Sequence, residues 1–234
     1  MKEEFERTAL LLGEEAVAKL SSSHVLIFGV GGVGGHAVDA LARAGIGSFT
    51  IVDNDKVSPS NINRQMIALH STIGRSKVEV MKERIKDINP DAEVTAREMF
   101  FLPENADEFD FGKYDYVLDC VDTVSAKITI IEEAKKAGVP VISAMGAGNK
   151  LDPSQFRISD ISKTEYCPLA KVMRRELRSR GINHVDVCWS PEMPVKPSAS
   201  DGKPVPGSVS FVPSVCGLVM AGKVVTVLAT KTSD

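Results

Sequence analysis

The sequence HVLIFGVGGVGG, residues 24–35, runs from a short apolar segment directly into closely spaced glycines. The apolar segment predicts a buried β-strand, and the glycines predict a tight turn that opens a helix. Backbone N–H groups at the start of such a helix can face phosphate oxygens, because glycine leaves no side chain in the way. The stretch therefore predicts a nucleotide site, lined by Gly29, Gly31, Gly32 and Gly34, at the end of the first strand.

Short apolar segments alternate with helical patterns through the first 150 residues. Strands are predicted at 24–29, 48–53, 92–97, 114–120 and 139–144, and helices at 33–45, 76–88 and 123–137. This alternation is typical of βαβ units, and it predicts an α/β fold with a doubly wound, Rossmann-like mixed sheet. Apolar residues at helical spacing add one leading helix at 7–20.

The pattern changes after residue 150. Two further strands, at 155–159 and 184–189, are predicted on either side of a basic helix at about 166–180, and five prolines predict a long loop at 191–206. The last apolar segment, 211–230, is long enough to span a membrane. Lys223 lies near its middle and would cost roughly 3 kcal/mol in a bilayer, which favours a buried core or interface helix.

Composition places the chain among globular proteins. Its 234 residues are 43% hydrophobic and 25% charged, which excludes disordered, collagen-like and coiled-coil chains. The net charge is −3, but residues 1–150 carry −6 and residues 151–234 carry +3, so a polyanionic partner is expected at the second part. The four cysteines form no CxxC pair and the N-terminus is acidic, so we expect no structural zinc, no signal peptide and a reducing cytoplasm.

Polar residues after the second strand distinguish an ATP site from a dinucleotide site. Asp53 follows Gly34 by 19 residues and lies where a carboxylate accepts hydrogen bonds from ribose hydroxyls. A triphosphate that reacts with a carboxylate needs cations near its α-phosphate, and Arg64 and Lys77 supply two. Asp122 is the predicted Mg²⁺ ligand, with Asp119 as a nearer competitor that we assign to the strand end. The predicted nucleotide-binding set also includes Asp55, Asn61 and Gln65.

These segments resemble the ATP-binding core of the ubiquitin-activating-enzyme-like (ThiF/MoeB/HesA) superfamily. The shared motifs are GVGGVGG, IVDNDKVSPSNINRQ, IGRSKVEVMKERIKDINP and LDCVDT, and they cover residues 7 to about 145. The resemblance assigns Asp53 to the ribose and Asp122 to Mg²⁺. It assigns the phosphates to Asn61, Arg64, Gln65 and Lys77. It also implies a homodimer in which Arg7 reaches the ATP bound to the other subunit.

The second part of the chain resembles one branch of this superfamily, which acts on tRNA. The resemblance lies in KLDPSQFRISDISKTEYCPLAKVMRRELRSRG and PGSVSFVPSVCGLVMAG. Members of this branch adenylate the carboxylate of a threonylcarbamoyl group on the adenosine beside the anticodon, and then close it into a ring with loss of water, releasing pyrophosphate and AMP. The resemblance implies an ATP- and Mg²⁺-dependent enzyme, with an ATP-binding core at 1–150 and a tRNA-facing, dimer-forming part of the same domain at 151–234.

A basic face on the helix at 166–180 agrees with a tRNA substrate. At spacings i, i+3, i+4 and i+7, four cations align: Lys171, Arg174, Arg175 and Arg178. Such a face can neutralise backbone phosphates, although a solvated helix surface would show the same pattern. No aromatic motif for stacking on single-stranded bases is evident, so recognition of the modified nucleotide is left unexplained.

Other functions fit parts of the pattern. The predicted ATP site also resembles that of the adenylyltransferases that act on ubiquitin-like sulfur carriers. That branch, however, usually has CxxC zinc pairs and often a loop cysteine. Cys188 is the nearest candidate, and its alternation with Val185 and Val187 predicts core packing instead. An NAD-dependent oxidoreductase and a non-catalytic tRNA-binding protein are the remaining alternatives. A sulfur-transfer protein of the cysteine desulfurase type is an additional candidate partner, and a membrane partner is not expected.

Overall fold

The computed structural model describes residues 2–195 and 206–230, and within them seven strands form one sheet in the order β3-β2-β1-β4-β5-β7-β6. The strands are β1 His24–Phe28, β2 Ser48–Val52, β3 Glu93–Arg97, β4 Tyr116–Asp119, β5 Val141–Ala144, β6 Arg157–Asp160 and β7 Asp186–Trp189. The α-helices are α1 Glu6–Leu12, α2 Glu14–Ser22, α3 Gly34–Arg43, α4 Lys77–Ile88, α5 Val124–Lys136, α6 Pro168–Ser179 and α7 Phe211–Thr230. Neighbouring strands are parallel except for β6, which runs antiparallel to β7, so the predicted mixed sheet is confirmed.

The central strands are buried on both faces of the sheet. Leu26 and Ile27 of β1 have no exposed surface, and β4 and β5 are buried throughout. A parallel strand covered by helices on both sides needs such a continuous apolar run, because neither face meets water. One core joins the sheet to α3, α4 and α7, and a second core joins its other face to α5 and α6.

The strand order reverses at the centre of the sheet. β2 and β3 lie on one side of β1, whereas β4, β5 and β7 lie on the other. The connections on the two sides therefore leave a crevice at the carboxyl ends of β1 and β4, and ligands of open α/β sheets bind at such a reversal. Residues that directly follow β1, β2 and β4 converge on this edge.

The predicted single helix at 7–20 is wrong, because the structure has two helices there, α1 and α2, which meet at Gly13. Gly13 has a φ of +91°, a left-handed conformation that glycine adopts without steric cost and that ends α1. α2 buries Val17 and Leu20, whereas Leu10 and Leu11 of α1 are 88% and 87% exposed. α1 thus contributes little to the core of this chain.

α7 is a core helix at the predicted residues. Val212, Cys216 and Met220, each one turn apart, are fully buried in the core that contains α3. The helix has the length and mean hydropathy, 1.9, of a membrane span, yet 44% of its 18-residue apolar window is buried inside the fold. Lys223 Nζ lies 3.2 Å from Asp186 Oδ2 of β7. The prediction of a buried core helix is confirmed.

Two glycines of α7 give a matched test of its packing. A methyl group on Gly217 would lie 2.2 Å from the carbonyl oxygen of Val33, whereas one on Gly222 would meet nothing within 4 Å. We expect Gly217→Ala to lower the free energy of unfolding by about 1–3 kcal/mol, because α7 must move away from α3. Gly222→Ala should leave the free energy of unfolding at the wild-type value or raise it by up to about 1 kcal/mol, since alanine is the better helix former. Urea unfolding measures both, and equal stabilities would contradict this packing.

Candidate functional site

A cavity of about 840 Å³ opens at the carboxyl ends of the central strands. Its wall includes the loops after β1, β2, β4 and β5 and the first residues of α6. This volume lies within the range of sites that enclose small organic ligands. The predicted site residues in the wall are Gly29, Gly31, Gly32, Asp53, Asp55, Asn61, Arg64, Gln65, Lys77 and Asp122. The structure therefore brings these ten residues into one space, whereas Gly34 and Arg7 of the predicted set are not part of the wall.

The glycine-rich turn is shaped by close backbone contacts. Gly29 has a φ of +86°, and a methyl group on Gly34 would lie 1.8 Å from the Gly29 carbonyl oxygen. Both positions therefore require glycine. Gly34 begins α3 and supports the turn through this contact, while Gly31 and Gly32 form the cavity wall between the two positions.

Asp53 follows β2 and links two backbone segments. Its Oδ2 accepts a hydrogen bond from Val30 N at 2.8 Å, and its Oδ1 accepts one from Asp55 N at 2.9 Å. These contacts fix the carboxylate beside the glycine-rich turn, where the sequence predicts a ribose. Each oxygen keeps a second lone pair, so the carboxylate can still accept hydrogen bonds from hydroxyl groups.

The two predicted phosphate-binding cations are held differently. Lys77 is 4% exposed at the start of α4, and its Nζ lies 2.6 Å from Asp55 Oδ2. Arg64 is half-buried, and its Nη1 donates to Ser60 O at 3.0 Å and to Asn63 Oδ1 at 2.9 Å. Both side chains line the cavity, so both bring positive charge to the same space.

Two buried amides lie in the same wall. Asn61 is 9% exposed, and its Oδ1 accepts a hydrogen bond from Ser58 N at 3.1 Å. Gln65 is 7% exposed, and within the described residues its Oε1 has no hydrogen-bond partner although it is buried. A buried amide oxygen without a partner is costly in a folded protein, and at a cavity wall it indicates a site that a ligand or water completes.

Two aspartates near the end of β4 have different surroundings. Asp119 is fully buried: its Oδ2 lies 2.9 Å from Lys127 Nζ and accepts a hydrogen bond from Ser143 Oγ at 2.5 Å. Asp122 is exposed and lines the cavity. Asp119 is the last residue of β4, as predicted, and Asp122 is the more accessible of the two carboxylates, so its role as a Mg²⁺ ligand stays a prediction. Lys127 also donates to Val121 O at 3.1 Å, so the buried ion pair holds the loop that carries Asp122.

Residues after β5 form a part of the wall that the sequence does not predict. Asn149, with a φ of +58°, donates from its backbone N to Gly207 O at 2.8 Å and accepts from Gly207 N through Oδ1 at 2.6 Å. Lys150 is 3% exposed, and its Nζ donates to the carbonyl oxygens of Ser190 and Glu192. Burial lowers the pKa of Lys150 below its usual value. Most of the predicted loop at 191–206 lies outside the described residues.

Four of the predicted residues are on the surface and are not part of the cavity wall. Lys171, Arg175 and Arg178 are exposed on α6, and Arg7 is exposed on α1. Arg175 pairs with Glu176 at 2.8 Å, whereas Lys171 and Arg178 have no ion-pair partner within the described part of the chain. The role of Arg7 at the other subunit's ATP stays a prediction.

Arg174, the remaining predicted cation of α6, is engaged within the fold. It is half-buried, and its Nη1 donates to the backbone oxygen of Thr164 at 2.7 Å and to the Thr164 hydroxyl. The helical spacing predicts that Arg174 lies on the same face as the three exposed cations, but its guanidinium is instead hydrogen-bonded to Thr164 within the fold. Arg174 therefore supports the segment that precedes α6.

The cysteines are core residues or lie in the cavity wall. Cys188 and Cys216 are fully buried free thiols whose sulfur atoms are 3.5 Å apart, which confirms the predicted core packing of Cys188. Burial raises the pKa of the Cys120 thiol, and the Cys188 contact and burial raise that of Cys216, which favours the protonated thiol at both positions. Cys167, directly before α6, lines the cavity but is only 4% exposed.

One protein-family model matches nearly the whole chain. The ThiF family model covers residues 5–234. The chain belongs to the ThiF family. This ThiF-family chain is 46% identical to the tRNA threonylcarbamoyladenosine dehydratase of Bacillus subtilis, over 96% of the chain and 94% of that protein. The crystal structure of the Escherichia coli tRNA N6-threonylcarbamoyladenosine dehydratase with AMP matches with a TM-score of 0.90 and 36% identity, over 97% of the chain and 94% of that structure. The structure of the same enzyme with ATP matches with a TM-score of 0.89 and 35% identity, over 97% of the chain and 93% of that structure.

A second branch of relatives is matched over a shorter length. The adenylyltransferase and sulfurtransferase UBA4 of Vanderwaltozyma polyspora is 41% identical to the ThiF-family chain, over 59% of the chain and 31% of that protein. The match to the B. subtilis dehydratase, in contrast, covers nearly the full length of both proteins. The comparisons therefore favour the dehydratase branch.

Proposed function

We propose that this chain is an ATP-dependent enzyme that modifies tRNA. It adenylates the carboxylate of threonylcarbamoyladenosine next to the anticodon and cyclises the activated group with loss of water. The observation that carries the proposal is the near full-length similarity to the B. subtilis dehydratase and to the ATP-bound E. coli enzyme. The cavity at the carboxyl ends of the strands contains the residue types that this chemistry needs.

In the first step a carboxylate oxygen of the substrate attacks the α-phosphorus of ATP, an acyl-adenylate forms and pyrophosphate leaves. Two anions must approach each other, so fixed positive groups in the cavity lower the barrier. Arg64 can contact two phosphate oxygens with its planar guanidinium, and Lys77 provides a compact ammonium. Asp53 holds the ribose, while the amides of Asn61 and Gln65 contact the phosphates. Backbone N–H groups of the glycine-rich turn add further donors.

Asp122 is the Mg²⁺ ligand in this proposal. Mg²⁺ at nucleotide sites commonly binds one or two carboxylates together with phosphate oxygens and waters, so it needs no protein cage. The described residues contain no cluster of three His, Cys, Asp or Glu side chains that would form one. The exposed carboxylate of Asp122 fits that donor set, and Asp55 is a second carboxylate in the same wall. When bound, Mg²⁺ offsets negative charge on the phosphates.

In the second step an atom of the same threonylcarbamoyl group attacks the activated carbonyl carbon and gives up its proton, and AMP leaves. The carboxylate oxygen that attacked phosphorus departs on AMP, which accounts for the net loss of water. Because the attack is intramolecular, holding the two groups together supplies much of the rate. No acceptor thiol is needed, in agreement with the burial of Cys188 and Cys216.

The tRNA, the assembly and the location belong to the same proposal. Lys171, Arg175 and Arg178 are exposed on α6, in the part of the chain with net positive charge, and would contact backbone phosphates. We propose a cytoplasmic homodimer in which Arg7 reaches the ATP of the partner. A sulfur-transfer protein of the cysteine desulfurase type is a candidate partner that the reaction itself does not require.

The test uses tRNA that carries threonylcarbamoyladenosine. Incubation with the protein, ATP and Mg²⁺, digestion to nucleosides and mass spectrometry should show the modified nucleoside lighter by one water, and omission of ATP should prevent the change. An unchanged nucleoside would contradict the proposal. Pyrophosphate exchange stimulated by a ubiquitin-like protein, but not by this tRNA, would support a sulfur-carrier adenylyltransferase instead. A melting temperature raised by NAD and not by ATP would support an oxidoreductase.

A further inference from the structure

An exposed tyrosine immediately precedes the cavity-lining start of α6. Tyr166 is 66% exposed, whereas Cys167, Pro168 and Leu169, which follow it, all line the cavity. Within the described residues the Tyr166 hydroxyl has no hydrogen-bond partner. The residue therefore lies at the rim of the site, and the part of the chain that the structure describes leaves it uncovered.

The backbone holds Tyr166 in an unfavourable conformation. Its φ is +53°, and among the described residues only Asn149 shares a positive φ without being glycine. Asparagine tolerates this left-handed region, but a bulky side chain brings Cβ close to the following carbonyl oxygen. Such strain persists only where the surrounding contacts impose it, and it is concentrated at ligand-binding sites.

Contacts on both sides of Tyr166 impose that conformation. Thr164 is 5% exposed, its Oγ1 donates to Ile161 O at 2.7 Å, and its backbone oxygen accepts from Arg174 at 2.7 Å. Cys167 is 4% exposed and accepts from Lys171 N at the start of α6. Tyr166 thus projects from a segment anchored at both ends, so binding a ligand there would lose little conformational entropy.

We propose that Tyr166 is a stacking platform for an unpaired nucleobase of the RNA substrate, an inference that rests on the proposed function. Proteins read single-stranded RNA loops by stacking splayed bases on aromatic rings. The exposed cations Lys171 and Arg175 follow on the same helix, where they can contact the phosphates next to such a base. A base held at this rim lies beside Cys167, Pro168 and Leu169 of the cavity wall, and the group attached to the modified adenosine has to enter that cavity.

Two variants separate the contribution of the aromatic ring from that of the hydroxyl group. Tyr166→Phe keeps the ring, whereas Tyr166→Gly removes it and also relieves the left-handed φ. We expect Tyr166→Phe to bind tRNA carrying threonylcarbamoyladenosine as the wild type does, and Tyr166→Gly to lose between about 5-fold and 100-fold in affinity. Fluorescence anisotropy of labelled tRNA at several salt concentrations measures both, and the salt dependence should be unchanged because no phosphate contact is removed.

The melting temperature distinguishes a binding role from a structural one. Tyr166→Gly should melt at or above the wild-type temperature and keep its ATP-induced stabilisation. Wild-type tRNA affinity in Tyr166→Gly, an equal loss in Tyr166→Phe, or a lower melting temperature together with the lost affinity would each overturn the inference. If the wild type neither binds nor converts the modified tRNA, the proposed function itself fails. If the wild type converts the tRNA and Tyr166→Gly binds and converts it normally, only the stacking inference fails.

Discussion

Replacement of Asp122 by alanine should lower the rate of adenylate formation by about 100- to 1,000-fold while tRNA binding is unchanged. Asp122 is exposed in the cavity wall, so its loss removes the proposed Mg²⁺ ligand without disturbing the core. The expected effect corresponds to about 3–4 kcal/mol of activation free energy. ATP–pyrophosphate exchange in the presence of modified tRNA measures this step separately from ring closure.

A second measurement separates loss of the metal ligand from a general loss of activity. Mg²⁺ should enlarge the ATP-induced rise in melting temperature of the wild type, but not that of Asp122→Ala. Asp107→Ala is the matched control, because Asp107 is also exposed and is not part of the cavity wall. Full exchange activity in Asp122→Ala would exclude Asp122 from the reaction. Absence of exchange in the wild type would favour a non-catalytic tRNA-binding protein.

Replacement of Lys127 by methionine should lower the free energy of unfolding by about 3–5 kcal/mol. Lys127 and Asp119 are both fully buried and form an ion pair at 2.9 Å. Methionine keeps the length of the side chain but removes the charge, so the Asp119 carboxylate is left in the core without its cation. Urea unfolding monitored by circular dichroism measures the loss, and the loop that carries Asp122 loses its contact at Val121 O in the same variant.

The cause of that loss can be tested by removing both charges. The double variant Lys127→Met with Asp119→Asn should recover much of the stability, because no buried charge is left unpaired. Lys136→Met is a surface control, since it breaks an exposed ion pair with Glu133 and should change stability little. Equal losses in Lys127→Met and Lys136→Met would show that burial of the pair does not matter.

Periodic hydrophobicity and motif spacing predict the regular part of this molecule. β1, β2 and α7 lie within one residue of their predicted bounds. The two strands are buried along nearly their whole length and α7 is buried along one face, so each has a regular hydrophobic pattern. The same regularity predicts the cavity wall. Gly31, Asp53 and Asp122 each follow a parallel strand, and the carboxyl ends of those strands share one edge of the sheet.

Contacts between distant segments are not predicted in this way. A lysine in an amphipathic helical pattern is ordinarily exposed, so nothing local indicates that Lys127 is buried. Arg174 has the spacing of a surface cation, yet its partner Thr164 lies in an irregular segment. Asn149 and Gly207 meet although 58 positions separate them. Composition and periodicity indicate the average surroundings of a side chain, but not which partner it meets.

The packing of α7 also constrains how the protein is made. A methyl group on Gly32 would lie 3.3 Å from Pro213 Cβ, and one on Gly217 would collide with Val33 O, so the glycine-rich turn rests on residues translated about 180 positions later. A nascent chain can form its first βαβ units on the ribosome, but it cannot finish the nucleotide pocket until the C-terminal helix has left the exit tunnel. We therefore expect unfinished or truncated copies to lack a completed nucleotide pocket.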